Sequence, residues 1–482
     1  MFSRNRLCMK LACVVFLSGV LSLSSAQITE NIDIHGLVQM QGGQFVNYKY
    51  RSTEFSHQWL QRNLLGVKID AKLNRWLDVH LLTGAFLTFN TQKPQTILYP
   101  DDFANQPIYG FVVDRADMVI HAINEPEVLQ WDIDIGLWNE KYNPETRNLG
   151  EYLFRSGAYP GYIYQYGFDE CFYNLAGLRT MVDIAGIWHN ELMLTSEIIT
   201  SPFTDFSLAY LTDVSLVEKA LTIGAGVQLY RCFSVGENQT SPREVWRSGE
   251  PQGTAPNYYL EENGVDEFGL PTYDTLWYTF AGTKVMARLM FDIKPLLGLD
   301  IFGKEDLKLY AEAAILGVAN YPNNTISTDN PYSFGRPVSE FGYNKLMEKM
   351  PIMFGFNFPT FKALDVLSFE VEYYGKKYVN AVPLPRGIAT GGYYPASCLP
   401  VSRQDAEPSE YDSLYAQGGA PNWKWSIYLK RTLFDHFAIT AQFARDHILN
   451  TTRGLSMREV DLEEALVKDN HWYWMLKFSA DF

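Results

Sequence analysis

The sequence has 482 residues, 47% hydrophobic and 15% aromatic with only 20% charged, which is too apolar for a disordered chain and too long for one ordinary soluble core. Its 55 acidic and 40 basic side chains give a formal charge of −15, which argues against nucleic acid as a partner. Beyond residue 26 there is no run of 18 apolar residues, so a bundle of membrane-spanning helices is excluded.

The first segment reads as an export signal. Arg4, Arg6 and Lys10 are a positive start, Leu11 to Leu23 an apolar stretch, and Ser24-Ser25-Ala26 a small-residue cleavage site before Gln27. Residues 1–26 are therefore expected to be a signal peptide, and residues 27–482 one mature domain. Cys13 comes too early in the apolar run for a lipid-modified cysteine. The remaining cysteines, Cys171, Cys232 and Cys398, are odd in number and lack C-x-x-C spacing. They allow at most one intramolecular disulfide and suggest no zinc site. No metal and no cofactor is expected.

From there the chain alternates with period two, which is strand periodicity. Leu65, Val67, Ile69, Ala71 and Leu73 alternate with Gly66, Lys68, Asp70 and Lys72, and Val285, Ala287, Leu289, Phe291 and Ile293 with Lys284, Met286, Arg288, Met290 and Asp292. Strands are predicted near 31–46, 58–73, 77–89, 110–121, 130–139, 174–187, 191–200, 205–212, 220–233, 274–293, 306–319, 350–358, 366–379, 423–431, 436–447 and 471–482. Their connections alternate between short turns, one of them near His189, and long loops. A strand of ~10 residues rises about 33 Å, and tilted by ~45° it spans about 23 Å, near the ~25 Å apolar band of a membrane barrel. A soluble sandwich also alternates, but its wet face would carry more charge, and long loops on one side only would be unusual. The fold class is thus all-β, a transmembrane antiparallel up-and-down β-barrel of about sixteen strands.

In the last segment Trp472, Trp474, Leu476, Phe478, Ala480 and Phe482 occupy one face. This pattern resembles the C-terminal strand of Gram-negative outer-membrane barrels. The resemblance implies location in the outer-membrane bilayer, long loops outside the cell, and Phe482 as a signal for the barrel-assembly machinery. A barrel of about sixteen strands also resembles the general porins. That implies a porin-like channel for passive diffusion of small hydrophilic solutes or ions, assembled as a homotrimer. In those porins the connection after the fifth strand folds back as a constriction. Here that connection runs from Lys141 to Tyr173, and its sequence departs from the acidic constriction motif, so only its position is carried over.

Alternation assigns one face of each strand to the lumen. Lys68, Asp70, Asp132, Asp134, Arg288, Glu370 and Glu372 fall on it, with Lys284, Glu312 and Lys424 among their neighbours. Charges of both signs suit a water-filled passage with a transverse field. The plainer reading is that opposite charges pair across neighbouring strands and plug a narrow barrel; against it, a barrel of ~16 strands leaves an aqueous channel. The constriction candidates are Lys141, Glu145, Arg147, Glu151, Arg155, Asp169 and Glu170. Each alone is an ordinary solvated loop charge, but one loop carrying both signs can set a pore's radius and field. Tyr152, Phe154, Tyr159, Tyr162, Tyr164 and Tyr166 could stack on a sugar, and packing of the loop is the simpler account.

No enzyme is expected. The sequence holds no G-x-S-x-G, H-E-x-x-H, P-loop or EF-hand pattern, and Asp101-Asp102 reads as a turn rather than an acidic dyad. Strand alternation begins near Ile32, which leaves no room for a plug domain. A surface adhesion or structural barrel with a closed lumen is the alternative to a channel.

Overall fold

The computed structural model describes residues 31–47, 59–90, 108–154, 173–196, 206–217, 219–233, 282–320, 350–374, 423–446 and 470–482, with Ile198, Leu466 and four short hairpins. The signal segment and several predicted loop residues lie outside the described residues. Sixteen strands close into one antiparallel barrel. They are β1 (Ile32–Val46), β2 (Trp59–Asn74), β3 (Leu77–Asn90), β4 (Ile108–Glu125), β5 (Leu129–Glu140), β6 (Tyr173–Ile184), β7 (Trp188–Ser196) and β8 (Phe206–Leu216). The second half comprises β9 (Leu221–Phe233), β10 (Gly282–Asp292), β11 (Lys308–Asn320), β12 (Pro351–Asn357), β13 (Val366–Tyr374), β14 (Trp423–Leu433), β15 (Phe437–Arg445) and β16 (Trp472–Asp481). Each strand pairs with its neighbours in sequence, and β1 pairs with β16 from Leu37↔Asp481 to Val46↔Trp472. Closure leaves no open edge, the condition a sheet must meet in lipid.

Alternation sorts the two faces as the sequence predicts. On β10, Lys284 and Met286 are buried inward while Leu289 is exposed. Ile135, Leu192, Phe354 and Phe443 are likewise exposed on other strands. A soluble protein would cover such a belt, and here it faces outward around the wall, where lipid takes the place of a partner sheet. Among the described residues no helix is long and apolar enough to cross a membrane.

Several strand ends differ from expectation, β4 running on to Glu125 and β8 to Leu216 among them, and two further differences have a clear physical reason. The predicted strand 274–293 divides: Pro271–Trp277 pairs with Tyr258–Val265 in a separate hairpin, and the barrel strand starts at Gly282. Alternation cannot tell a barrel strand from a hairpin within a loop, because both have period two. The β6–β7 turn falls at Ala185 and Gly186 rather than near His189, with φ of 55° and 61°. Left-handed backbone at two successive residues is what a tight hairpin turn requires.

Candidate functional site

β5 ends at Glu140, and Lys141–Phe154 turns into the barrel instead of leaving it. Its apolar side chains Tyr142, Leu149, Tyr152, Leu153 and Phe154 are buried against Trp138 of β5, Met193 of β7, Leu211 of β8, Met286 of β10, Tyr310 of β11 and Met353 of β12. This segment of the loop thus has a hydrophobic core of its own, inside the lumen. Burying each such side chain contributes about 1.5–3 kcal/mol, which favours a fixed loop over a free one.

Two wall carboxylates hold its backbone. Glu312 of β11 accepts from Tyr142 Oη (2.6 Å), Asn143 Nδ2 (2.9 Å), Glu151 N (3.0 Å) and Tyr152 N (2.9 Å). Glu370 of β13 accepts three successive backbone N–H groups, from Arg147, Asn148 and Leu149. The successive Glu151 and Tyr152 N–H groups can both face Glu312 because Gly150 and Glu151 take positive φ, 85° and 62°. Consecutive N–H groups in such a turn form an anion-binding concavity, and a carboxylate supplies the anion. A Cβ on Gly150 would lie 2.8 Å from Met353 Cε, so a side chain there would have to displace that methyl group as well as adopt the left-handed backbone. Tyr152 Oη donates to Glu372 (2.8 Å), Lys284 Nζ to Leu153 O (2.8 Å), and Asn148 Nδ2 to Asp446 (2.7 Å). β5 and β13 stand half-way round the ring from each other. The loop therefore crosses the lumen from wall to wall.

Its charges are engaged. Arg147 Nη2 donates to Glu305 (2.8 Å) in the connection before β11, and Lys141 Nζ donates to Thr146 O (2.6 Å). Against the burial that would raise it, Lys308 and Arg147 hold the Glu305 carboxyl below its usual range. Burial and then the charges of Glu312 and Glu151 push the Tyr142 phenol well above its ordinary value, which keeps it a donor. Glu145 lies 3.7 Å from Arg288, whose guanidinium binds Asp213 through two bonds of 2.8 and 2.6 Å. Asp213 is on β8 and Arg288 on β10, so the arginine must pass over β9. It does so at Gly224, where a Cβ would lie 2.0 Å from Asp213 Oδ1.

Lys424 of β14 donates to the carbonyls of Asp446 (3.2 Å) and Leu466 (3.1 Å), and the other predicted lumen residues lie on the wall formed by β2 to β6, in an arc of paired charges. Lys68 and His80 each approach Asp70 at 2.6 Å, and His121 bridges Asp132 (2.7 Å) and Asp78 (3.3 Å). Arg179 binds Asp134 (2.7 Å) and Glu140 (2.9 Å). Gln39, Gln41, Arg62, Leu64 and Lys477 line a recess on β1, β2 and β16. Arg155, Tyr159, Tyr162, Tyr164, Tyr166, Asp169 and Glu170 lie outside the described residues, as do Asp101 and Asp102. Tyr152 and Phe154 serve packing. Among the described residues no group of three His, Cys, Asp or Glu could hold a metal ion.

A closed ring of sixteen strands with a lipid-facing belt and an inward fifth connection decides the architecture. The chain is a closed sixteen-stranded antiparallel β-barrel of the transmembrane type. No protein-family model matches the sequence, and no curated protein matches it. Among solved structures the barrel is similar to Pseudomonas putida OprB, with a TM-score of 0.45 and 9% identity over 94% of this chain and 95% of that one. It is also similar to two mutants of the Rhodopseudomonas blastica porin, with TM-scores of 0.39 and 0.40 and 7% identity over 94% of this chain and 100% of those. The assignment rests on the barrel's own topology.

Sequence reasoning did not single out Glu312 and Glu370 as acceptors for the loop, nor Met193, Leu211, Met286 and Met353 as its apolar seat. One signal was available: apolar side chains at inward positions of a barrel need something to cover them.

Proposed function

We propose that the barrel is a passive channel for small hydrophilic solutes or ions, narrowed by the Lys141–Tyr173 connection. The observation that supports this is that the described part of the connection crosses the lumen on two carboxylate anchors and carries Lys141, Glu145, Arg147 and Glu151 with it. A charge held in a narrow passage between low-dielectric walls acts on a passing ion more strongly than one on an outer loop. In this reading residues 1–26 direct export. The Trp472 to Phe482 strand is read by the barrel-assembly machinery, and the domain of residues 27–482 resides in the outer membrane, as a homotrimer, with its long loops outside.

Purified protein in a planar bilayer is expected to give stepwise current, and Glu145→Lys to shift its reversal potential toward anions. Glu145 is the better probe because the carboxylate of Glu151 accepts the Asn143 N–H at 2.8 Å and shapes the loop itself. Absence of any current would overturn the channel and favour the closed adhesion barrel. Current with an unchanged reversal potential would remove the loop from the passage.

A further inference from the structure

The connection from β10 to β11, residues 293–307, is the longest on the short-turn side. It begins with a one-turn helix at Lys294–Leu297 that closes on Gly298. Leu296, Leu297, Leu299 and Ile301 are 62, 46, 52 and 54% exposed. Four large aliphatic side chains at this exposure within six residues would be costly in water, because apolar surface left uncovered is unfavourable in proportion to its area. They are not on a slack segment. Lys294 Nζ donates to the Lys304 carbonyl (2.7 Å) and the Asp306 carbonyl (2.8 Å). The Asp306 carboxylate accepts from Gly303 N (2.8 Å), and across to the next short connection from Thr360 Oγ1 (2.9 Å) and Phe361 N (3.1 Å). Two connections are thus stitched into one platform, with bonded polar groups and an apolar edge.

That edge runs on into the outward belt. Phe302 stacks on Phe361 with ring centroids 5.6 Å apart, and Phe358 meets Phe356 edge-on at 4.8 Å. Phe356 alternates with the inward Met353, Gly355 and Asn357 of β12, so it belongs to the lipid-facing side. Continuity with the belt selects the occupant. A surface that starts on the barrel's outer wall and ends on this connection fits lipid, and a segment with separated polar and apolar faces lies at the boundary of headgroups and acyl chains.

We propose that residues 293–307, braced by residues 358–365, form a shelf that seats its apolar edge in the membrane leaflet at the short-turn end of the barrel. The test uses the full chain with Cys171, Cys232 and Cys398 changed to Ser, carrying Leu297→Cys, Leu299→Cys or Lys304→Cys labelled with bimane. The labelled barrels are reconstituted in vesicles of phosphatidylethanolamine and phosphatidylglycerol. At positions 297 and 299 quenching by aqueous iodide is expected to be several-fold weaker than at 304, and quenching by lipids brominated near the headgroup correspondingly stronger. Equal iodide quenching at all three positions would overturn the proposal. So would protection that is present in native membranes but lost in pure lipid, which would mean a protein partner. Protection that grows with protein density would instead mean a second copy and overturn it as well. A heat-modifiable gel band checks that each variant folds, and Leu296→Cys replaces either leucine variant that does not.

Discussion

Replacing Glu312 by Gln isolates the anchoring of the inward loop. The carboxylate accepts four hydrogen bonds, two on each oxygen, from the phenol of Tyr142, the amide of Asn143 and the backbone N–H groups of Glu151 and Tyr152. An amide of the same shape keeps one oxygen and turns an NH2 group toward two of those donors. Glu312 is 1% exposed, so water does not replace the lost acceptor. At about 1–3 kcal/mol for each buried donor left unsatisfied, the inward position loses roughly 2–6 kcal/mol for the two. With every 1.4 kcal/mol worth a factor of ten, the released state gains between about 30-fold and about 10,000-fold. Single-channel recording in a planar bilayer is the assay, and Glu312→Gln is expected to show a new, larger conductance substate and greater current noise. Glu305→Gln is the control. It removes one charge from the Arg147 contact but leaves all four donors served, so it should alter ion preference without the substate. If the two variants give indistinguishable traces, the anchors do not hold the loop.

Four further outcomes are expected. Gly150→Ala places a Cβ 2.8 Å from Met353 Cε and 3.1 Å from Glu312 Oε2 at φ 85°. Left-handed strain alone costs about 1–2 kcal/mol, so the temperature of the heat-modifiable gel shift should fall. Deleting Phe482 removes two seam bonds, its N–H to Gly36 O (3.0 Å) and its carbonyl from Gly36 N (2.6 Å), worth roughly 1 kcal/mol each. A far larger loss of outer-membrane protein is expected because assembly fails, and normal levels would refute the role of Phe482 as a signal. The exposed thiol of Cys232, at the long-connection end of β9, should react with a membrane-impermeant maleimide on intact, reduced cells, and labelling only after lysis would invert the topology. Finally, the Asp306 carboxyl, raised by burial but lowered further by the N–H groups of Gly303 and Thr360, the Thr360 hydroxyl and the Phe361 N–H, titrates below its usual range. A depressed folded-state pKa stabilises above the unfolded value of about 3.9 and ceases to as pH falls through the folded one. Hydrogen exchange in residues 294–307 and 358–365 should therefore accelerate only below about pH 4, and Asp306→Asn should weaken that dependence.

The sequence by itself determined the barrel. Strand periodicity is local: the choice of inward Lys284, Met286 and Arg288 against outward Val285, Ala287 and Leu289 needs no knowledge of any other strand. A two-sided alternation repeated about sixteen times with long and short connections leaves one closed solution in a membrane. Which connection turns inward was not read from the alternation itself; it was an implication of the resemblance to the general porins, applied to this chain by counting strands. Tertiary structure alone decided how that connection is held. The donors of Glu151 and Tyr152 and their acceptor Glu312 are separated by 161 and 160 residues, and Leu149 and Glu370 by 221, so no local pattern joins them. Glu370 in the sequence is one of many alternating carboxylates, and only the curvature of the ring, which brings β13 opposite β5, makes it an anchor. Gly224 is similar: its missing side chain matters only because Arg288 and Asp213 lie on either side of it. Alternation specifies which way a side chain points, whereas what it meets depends on closure, which brings together residues far apart along the chain.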